Sequence, residues 1–426
     1  MSSVLARSAL RAAARSATPR TVANSTRNFH AARAVANASQ TSIFQFSEDE
    51  LMFKDTVAKF AADVVAPRVR EMDEKEDMDP AVIQGMFDNG LMGVETPEEY
   101  GGAGASFTSA ILVVEELARV DPSVSVCNDV HNTLVSTCVR SWGSKELKDK
   151  YMPILNSERV GSFCLSEPVS GSDAFALKTR ATKNADGDYV LNGSKMWITN
   201  AKEAGIYLVF ANVAPEQGYK GITCFVVEKE FPGFSIAKKE KKLGIRASST
   251  CVLNFDDVVV PKENILGELG KGYKIAIECL NEGRIGIAAQ MTGLAMGAFE
   301  RATSYAFNDR KQFGQYIGDF QGMQFQMAQA AVEIEAARLL LYNASRMKEN
   351  GLPFVKEAAM AKLKASQVAE LVASRAVEWM GGVGFTREEN LEKFYRDAKI
   401  GAIYEGTTNI QLQTIAKFLQ KEAQGK

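Results

Sequence analysis

The spacing of hydrophobic positions changes twice along the chain after residue 45. From 46 to about 160, apolar side chains recur every three or four positions, which predicts helices with one buried face. The clearest repeat is Phe53, Val57, Phe60, Ala61 and Val64. Ser47 with Glu50 three residues later has the pattern of a capping box, so we expect the first helix to begin there.

The second block, from 161 to 272, has the composition of strands. Short runs rich in β-branched and aromatic residues are separated by Gly, Pro, Asn and Asp. The clearest runs are 206–210, 222–227 and 250–255. Asn192-Gly193, which follows a further run of this kind, is typical of a hairpin turn. The block therefore predicts a small β domain of the sandwich or barrel type.

Helical spacing returns from 273 to 426, in longer stretches. One apolar stripe comprises Met327, Ala330, Ala331, Ile334, Ala337, Leu340 and Leu341. Several long helices of this kind predict an antiparallel bundle. The order of helices, strands and helices predicts the α+β class, with a β domain (161–272) between an N-terminal helical domain (46–160) and a C-terminal helical domain (273–426).

The composition is that of a soluble globular protein of two or three domains, since the 426 residues are 46% hydrophobic and 24% charged. The net charge of −2 does not indicate a nucleic-acid partner, and the apolar runs are too short to span a bilayer. Residues 1–45 differ, because they hold six arginines and no acidic residue. We interpret them as a mitochondrial transit peptide, with a disordered basic tail as the alternative.

Cysteine and histidine limit the chemistry. The six cysteines are scattered without a C-x-x-C pair, so we expect buried thiols in a reducing compartment. One of the two histidines, His30, lies in the proposed presequence, which leaves His131. A zinc site, a Ser-His-Asp triad or a Cys-His pair is therefore poorly supported, and we predict no metal. An enzyme with this sequence would use a carboxylate as its base or rely on a cofactor.

Two stretches of the β block carry residues suited to a flat cofactor. The segment 163–173 places serine hydroxyls around a proline turn, although surface turns have the same composition. The segment 195–200 places Trp197 and Thr199 on one face of a strand, although a single tryptophan is by default a core residue. Each stretch alone is weak support for a binding site.

Three stretches of the C-terminal block also carry candidate chemistry. Arg310 suits a pyrophosphate, and the glycines of 379–385 let a ligand approach the backbone closely. The structural alternatives are a solvated helix end and a helix C-cap. In 403–411, Glu405 stands between a tyrosine and a glycine, either as an exposed turn acid or as a desolvated base.

Together these stretches resemble the acyl-CoA dehydrogenase family over essentially the whole chain after the presequence. The motifs that carry the resemblance are, in chain order, S-E-P-x-x-G-S-D, M-W-I-T, N-E-G-R, R-x-x-F-G, G-G-x-G and Y-E-G-T. One departure is Val169-Ser170, where the family usually has Gly or Ala; it changes the expected packing of the loop but leaves the Ser166 and Ser172 hydroxyls.

Within the family the chain is most similar to the short/branched-chain (2-methylacyl-CoA) dehydrogenases. The most similar segments are 191–197, 219–223, 243–251, 281–291 and 409–412. This similarity implies 2-methylbutanoyl-CoA as the favoured substrate, in isoleucine or short fatty acid breakdown. Isobutanoyl-CoA and straight short chains are the alternatives. An acyl-CoA oxidase and a non-catalytic scaffold are weaker ones, because the chain does not end in S-K-L and retains Glu405 with the cofactor motifs.

The resemblance implies that Glu405 takes a proton from Cα of an acyl-CoA while FAD takes a hydride from Cβ, giving a trans-2-enoyl-CoA. Some family members carry the base on the helix of the N-E-G-R motif, at the position of Gly283, which has no side chain to act. Glu282 beside it would point about 100° away on a helix. The Glu405 N–H, together with a ribityl hydroxyl of FAD, is implied to hold the thioester carbonyl oxygen.

Other roles follow from the resemblance position by position. The implied FAD contacts are Phe163, Leu165, Ser166, Ser172, Trp197, Thr199, Arg310, Gln312, Phe313, Gln321, Gly381, Gly382, Thr407 and Asn409. The implied acyl-CoA contacts are Ser172, Tyr219, Tyr273, Asn281, Arg284 and Gly406. Some FAD contacts come from a neighbouring subunit in the family. The resemblance also implies a homotetramer, electron-transfer flavoprotein as electron acceptor and the mitochondrial matrix as location.

Overall fold

The computed structural model describes residues 45–425, so the proposed transit peptide at 1–45, except for its last residue, lies outside the described residues. The first described helix is capped as predicted, with Ser47 Oγ accepting from the Glu50 N–H at 3.2 Å and the Glu50 carboxylate accepting from the Ser47 N–H at 2.9 Å. The helices before the sheet are α1 (Glu48–Phe60), α2 (Val69–Lys75), α3 (Pro80–Asp88), α4 (Phe107–Ala118), α5 (Pro122–Asp129), α6 (Thr137–Trp142) and α7 (Lys145–Ser157). A π-helical segment, Val130–Ser136, joins α5 to α6.

The middle of the chain folds into one sheet. Its strands are β1 (Val160–Cys164), β2 (Arg180–Lys183), β3 (Tyr189–Thr199), β4 (Ala204–Asn212), β5 (Ile222–Glu228), β6 (Phe234–Lys239), β7 (Thr250–Val260) and β8 (Ile265–Leu266). The strand order is β6-β7-β3-β2-β4-β5-β8, with β1 pairing in parallel with β4. Buried aromatic and aliphatic side chains such as Tyr207, Phe225 and Phe255 fill its core.

The predicted turn at Asn192-Gly193 is wrong. Both residues lie inside β3, where the pairing with β7 shifts register between Leu191 and Gly193. Gly193 has a φ of +148°, and a Cβ at this position would lie 2.6 Å from Thr179 Oγ1. The glycine therefore serves a β-bulge rather than a hairpin. The turn between β2 and β3 falls earlier, where the Asn184 N–H donates to the Asp188 carbonyl at 2.8 Å.

The C-terminal part is helical, as predicted. Its elements are α8 (Gly272–Ser304), β9 (Lys311–Gln312), β10 (Gln315–Tyr316), α9 (Gln321–Glu349), α10 (Val355–Met380), α11 (Gly382–Phe385), α12 (Leu391–Ala398) and α13 (Thr408–Ala423). Most of the predicted stripe on α9 is buried, but Ala331 is exposed and Leu340 is half-buried. No helix within 45–425 is long and apolar enough to cross a membrane.

The α+β architecture is confirmed, because helices precede and follow the sheet. β1 begins at Val160 and α8 at Gly272, close to the predicted changes of block. The division into domains at 46–160, 161–272 and 273–426 stays a prediction.

A buried charge network joins the three parts of the fold. Lys393 Nζ on α12 donates to Asp397 at 2.6 Å and to Asp121, just before α5, at 2.9 Å. Asp397 also accepts from the Ile245 N–H of the middle part at 2.5 Å. The two carboxylates beside it raise the pKa of the Lys393 ammonium. The network holds α12, and therefore the start of the segment that follows it, against both other parts.

We predict that Lys393→Met lowers the free energy of unfolding by about 3–5 kcal/mol, because it leaves two buried carboxylates without their cation. Lys399→Met is the matched control: Lys399 pairs with Glu370 at 3.1 Å on the surface, and its loss is expected to cost less than about 1 kcal/mol. Chemical denaturation of both variants measures the difference. Equal effects would contradict this role for the network.

Candidate active site

Glu405 lies in a short loop between α12 and α13. The loop follows a 3₁₀ turn, Lys399–Ala402, and ends at Thr407, whose hydroxyl caps α13 by accepting from the Ile410 N–H at 3.4 Å. Glu405 has a φ of +50° and Gly406 a φ of +87°. A glutamate in this region of backbone space is strained, and such strain persists where neighbouring groups fix the conformation.

Two buried side chains fix this loop. Lys362 Nζ on α10 donates to the carbonyls of Gly401 at 2.6 Å and Gly406 at 2.8 Å. Gln411 Nε2 on α13 donates to the carbonyls of Glu405 at 3.0 Å and Gly406 at 2.9 Å. Sequence reasoning identified neither residue, because a lysine or glutamine in an amphipathic helix normally indicates its solvated face.

The Glu405 side chain is half-buried, but its Oε2 atom is buried and has no hydrogen-bond partner among the described residues. Burial raises the pKa of Glu405 to about 7, against the opposing charges of Lys362 and Arg284. A carboxylate that titrates near neutrality without solvation of its acting oxygen is suited to general-base catalysis. The interpretation of Glu405 as an exposed turn acid does not fit this environment.

Gly283 on α8 makes room for this carboxylate. A Cβ at position 283 would lie 3.1 Å from Glu405 Oε2 and 2.9 Å from Leu134 Cδ2. The neighbouring Glu282 points elsewhere and pairs with Lys348 at 3.3 Å. The absence of a side chain at 283 thus serves the loop that carries Glu405.

A second glycine one turn along α8 accommodates a second acid. A Cβ at Gly286 would lie 1.9 Å from Asp129 Oδ1, and Asp129 accepts from the Thr133 hydroxyl at 2.9 Å. Burial raises the pKa of Asp129 well above its ordinary value, and the nearby Glu405 adds to the shift. Sequence reasoning missed Asp129. The only signal was the i, i+3 spacing of the two glycines, which does not identify what fills the space.

The predicted cofactor residues of the β block come together at the ends of β1 and β3. The Met196 N–H donates to the Ser166 carbonyl at 2.9 Å, and the Ser162 hydroxyl donates to the Thr199 carbonyl. Trp197 is 54% exposed with a φ of +62°, so it is not the core tryptophan of the default interpretation. An indole held at the surface next to hydroxyl-bearing residues fits a flat ring.

A buried ion pair supports the loop after β1. Glu167 accepts from Lys195 Nζ at 2.7 Å and from the Lys178 and Thr179 N–H groups at 2.6 and 3.0 Å. Lys195 also donates to the carbonyl of Leu165, which is buried, at 3.1 Å. Sequence reasoning did not identify this pair, because its two members are 28 residues apart.

The departure at Val169-Ser170 is tolerated by the same loop. Val169 is 67% exposed, and the Ser170 hydroxyl donates to the Asp173 carbonyl at 2.7 Å. Ser172 is exposed. Phe163 packs its ring against Phe210, with 4.9 Å between centroids.

Four of the six predicted acyl-CoA residues form two pairs. Arg284 Nη1 donates to Asn281 Oδ1 at 2.9 Å, and both side chains line a cavity of about 560 Å³ between α8 and α13. Tyr219 and Tyr273 meet edge to face with 5.0 Å between ring centroids. Arg284 and Glu405 interact electrostatically, which links the first pair to the candidate base.

The remaining predicted cofactor residues of the C-terminal part are exposed. Arg310, Gln312 and Phe313 lie on the β9–β10 hairpin, with Phe313 94% exposed at its tip. Nothing lies within 4 Å of a Cβ built at Gly381 or Gly382, so their backbone is open to approach. The other exposed members are Gln321 and Asn409. Within 45–425, no hydrogen bond or ring contact links the hairpin to Glu405.

Histidine and cysteine have structural environments. His131 is buried, with Nε2 2.9 Å from the Met92 carbonyl and Nδ1 accepting from the Gly161 N–H at 2.9 Å. Burial lowers the pKa of His131 to about 4. The six cysteines are free and buried, which confirms the expected burial of the thiols. Among the described residues, no group of three acidic, histidine or cysteine side chains could hold a metal ion.

Comparison with known proteins assigns the chain to a family. Models of the N-terminal, middle and C-terminal domains of acyl-CoA dehydrogenase match residues 47–159, 162–258 and 270–420. These matches together cover well over half of the chain. The chain therefore belongs to the acyl-CoA dehydrogenase family, a family of oxidoreductases, which confirms the resemblance.

Two relatives are similar in sequence over most of the chain. The probable short/branched chain specific acyl-CoA dehydrogenase of Dictyostelium discoideum is 58% identical over 379 residues, 89% of this chain and 92% of the relative. The mitochondrial short/branched chain specific acyl-CoA dehydrogenase of Rattus norvegicus is 55% identical over 377 residues, 88% of this chain and 87% of the relative.

Two solved structures resemble the fold closely. Butyryl-CoA dehydrogenase from Megasphaera elsdenii superposes with a TM-score of 0.87 at 41% identity, over 88% of this chain and 99% of that one. An acyl-CoA dehydrogenase from Bacillus anthracis complexed with FAD superposes with a TM-score of 0.84 at 33% identity, over 91% of this chain and 70% of that one.

We predict that Gly283→Ala lowers kcat by about 10²-fold, because the new methyl group displaces the Glu405 carboxylate. The unfolding temperature is expected to change little, since the gain of about 1 kcal/mol for alanine over glycine inside a helix offsets the crowding against Leu134 Cδ2. Gly322→Ala is the control, because a Cβ there meets nothing within 4 Å. Steady-state kinetics and thermal unfolding measure both. An unchanged kcat in Gly283→Ala would show that the carboxylate does not depend on this space.

Proposed function

We propose that the protein is an FAD-dependent dehydrogenase of short branched-chain acyl-CoA thioesters, with 2-methylbutanoyl-CoA favoured and a trans-2-enoyl-CoA as product. The observation that carries the proposal is the buried Glu405 Oε2, which has no hydrogen-bond partner among the described residues. Glu405 also interacts electrostatically with Arg284, which lines the cavity between α8 and α13. Family membership and the short/branched chain relatives support the substrate class.

Glu405 acts as the base. The α-hydrogen of a thioester is weakly acidic, so its removal needs an unsolvated base and a donor for the carbonyl oxygen. The Glu405 N–H donates to no acceptor within 45–425 and is available for that oxygen. Its positive φ and the adjoining Gly406 let the backbone turn this N–H toward a thioester. Bound FAD would take up the hydride that leaves Cβ.

The residues around the sheet fit the isoalloxazine ring of FAD. Exposed Trp197 would cover one side of the ring, while Ser166 and Thr199 offer hydroxyls beside it. The remaining proposed FAD contacts are Phe163, Leu165, Ser172, Arg310, Gln312, Phe313, Gln321, Gly381, Gly382, Thr407 and Asn409. Thr407 Oγ1 accepts from the Ile410 N–H in the cap of α13, and its O–H would be left to donate to FAD.

Acyl-CoA would be held by the residues next to the base. Arg284 has a buried Nε without a hydrogen-bond partner among the described residues, so it has a donor to give to a polar group of CoA. The guanidinium is held by Asn281 Oδ1, which accepts a hydrogen bond from Arg284 Nη1. Ser172, Tyr219, Tyr273 and Gly406 complete the proposed substrate contacts.

Several exposed apolar side chains of the C-terminal part support assembly. Phe313, Phe325 and Phe385 are large and exposed, and contact with another chain would remove this apolar surface from water. We therefore include a homotetramer in the proposal, with the hairpin of one subunit contributing to the FAD site of its neighbour. Electron-transfer flavoprotein as acceptor and the mitochondrial matrix as location complete it, in agreement with the mitochondrial relative and the arginine-rich N-terminus.

We predict that anaerobic titration of the protein, purified with its FAD, bleaches the visible flavin band most effectively with 2-methylbutanoyl-CoA. Isobutanoyl-CoA and butanoyl-CoA are the comparison substrates, and absorption spectroscopy is the measurement. Preference for butanoyl-CoA would keep the chemistry and contradict the branched-chain assignment. If none of the three substrates bleaches the flavin, the proposed dehydrogenase activity is contradicted. Rapid oxygen consumption with peroxide release would indicate an oxidase.

A further inference from the structure

Lys362 is a buried cation that contacts the backbone of the Glu405 loop from a neighbouring helix. Among the described residues, no other buried cation does so. Lys362 stands in the middle of α10 and is only 1% exposed. Its ammonium contacts the loop on both sides of Glu405, through the Gly401 and Gly406 carbonyls. The Ser366 hydroxyl, one turn further along α10, also donates to the Gly401 carbonyl, at 2.9 Å.

We propose that Lys362 is a positioning residue for the base: its ammonium ties the two ends of the 401–406 loop together and presents a positive charge to the Glu405 carboxylate. This inference rests on the proposed function only for the role of Glu405. The tie, by which we mean the two hydrogen bonds from Lys362 to the Gly401 and Gly406 carbonyls, is a property of the loop and can be tested without catalysis.

The choice of a lysine is informative, because burying an ammonium is unfavourable unless a negative charge compensates for it. The groups that accept its hydrogen bonds are neutral carbonyls, which a glutamine or serine could also satisfy. The negative charge that acts on Lys362 is that of Glu405. Burial lowers the pKa of Lys362 to about 8, so the ammonium remains mostly charged at pH 7.

Three further titratable groups lie near Glu405, two on neighbouring helices and one in its own loop. Arg284 on α8 adds a second positive charge, and Asp129 on α5 lies close enough to interact electrostatically. Tyr404 precedes it, with its hydroxyl bound to Gln290 and its pKa raised by burial. Burial also raises the pKa of Asp129 well above its ordinary value. Lys362 and Arg284 are the charges that favour the ionised base.

Removal of the Lys362 charge is therefore expected to raise the pH at which Glu405 becomes active. For Lys362→Met, the acid limb of kcat/KM should move up by about one pH unit from the wild-type midpoint near 7. With that shift, kcat/KM of the variant should be about fivefold below the wild-type value at pH 7 and should approach the wild-type value at pH 9. A residue with a merely structural role would lower kcat/KM equally at every pH.

Hydrogen–deuterium exchange of the protein tests the tie independently of activity. Faster exchange is expected in peptides that cover 399–411 of Lys362→Met, with no change in the sheet. Lys364→Met is the matched control on the same helix, since Lys364 pairs with Glu333 at a partly exposed site. It should leave both the pH profile and the exchange of 399–411 unchanged.

A second variant, Lys362→Arg, retains the charge and should keep the midpoint near 7. The proposal is overturned if Lys362→Met shows the wild-type midpoint, or if 399–411 exchanges at the wild-type rate. It is also overturned if Lys362→Arg moves the midpoint up as far as a neutral side chain does. A wild-type protein without dehydrogenase activity would instead refute the proposed function, while the exchange experiment would still decide the tie.

Discussion

The Glu405 carboxylate has to be withheld from water and still be able to ionise, and these two requirements oppose each other. Exclusion of water makes the group a better base but raises its pKa to about 7, because the charged form loses its solvation. Lys362 and Arg284 place positive charge nearby and keep ionisation within reach of neutral pH. The site thus balances burial against charge instead of maximising either.

The need to hold the Glu405 carboxylate away from water also explains the conformation of the loop backbone. A glutamate at positive φ is unfavourable by itself, and the loop holds it because Lys362 and Gln411 bind its carbonyls from two helices. Gly283 then leaves the volume that the carboxylate occupies. The 3₁₀ turn that leads into the loop follows α12 directly. The buried pair of Lys393 and Asp397 fastens α12 to the other two parts of the fold. Placement of the base therefore depends on the packing of the whole chain.

The architecture could be predicted from the sequence, and Glu405 could be singled out as the candidate base, a role that stays a prediction. The groups that support Glu405 could not be predicted. Spacing of apolar residues is a local signal, so the helical, β and helical blocks and the Ser47 cap were predicted correctly. The Asn192-Gly193 prediction was wrong, because close packing against Thr179, a tertiary contact, decides the geometry of that dipeptide.

Supporting residues escape sequence reasoning because their partners are distant in the chain. Lys362 lies 44 residues from Gly406, and Asp129 fills a space opened by Gly286 on another helix. A buried lysine and a buried aspartate look like surface residues until the fold places them. The exposed Trp197 shows the reverse: composition predicts burial, while a positive φ turns the indole to the surface.

The most direct measurement asks whether Glu405 removes the α-hydrogen of a bound thioester. An acyl-CoA with oxygen in place of Cβ cannot give up a hydride but keeps its α-hydrogens, so their loss in D₂O, followed by NMR, isolates the base. We predict that the wild-type protein exchanges these hydrogens with a pH midpoint near 7. The exchange rate should fall by at least about 10²-fold in Glu405→Gln and change little in Glu282→Gln. Exchange at the wild-type rate in Glu405→Gln would contradict this prediction.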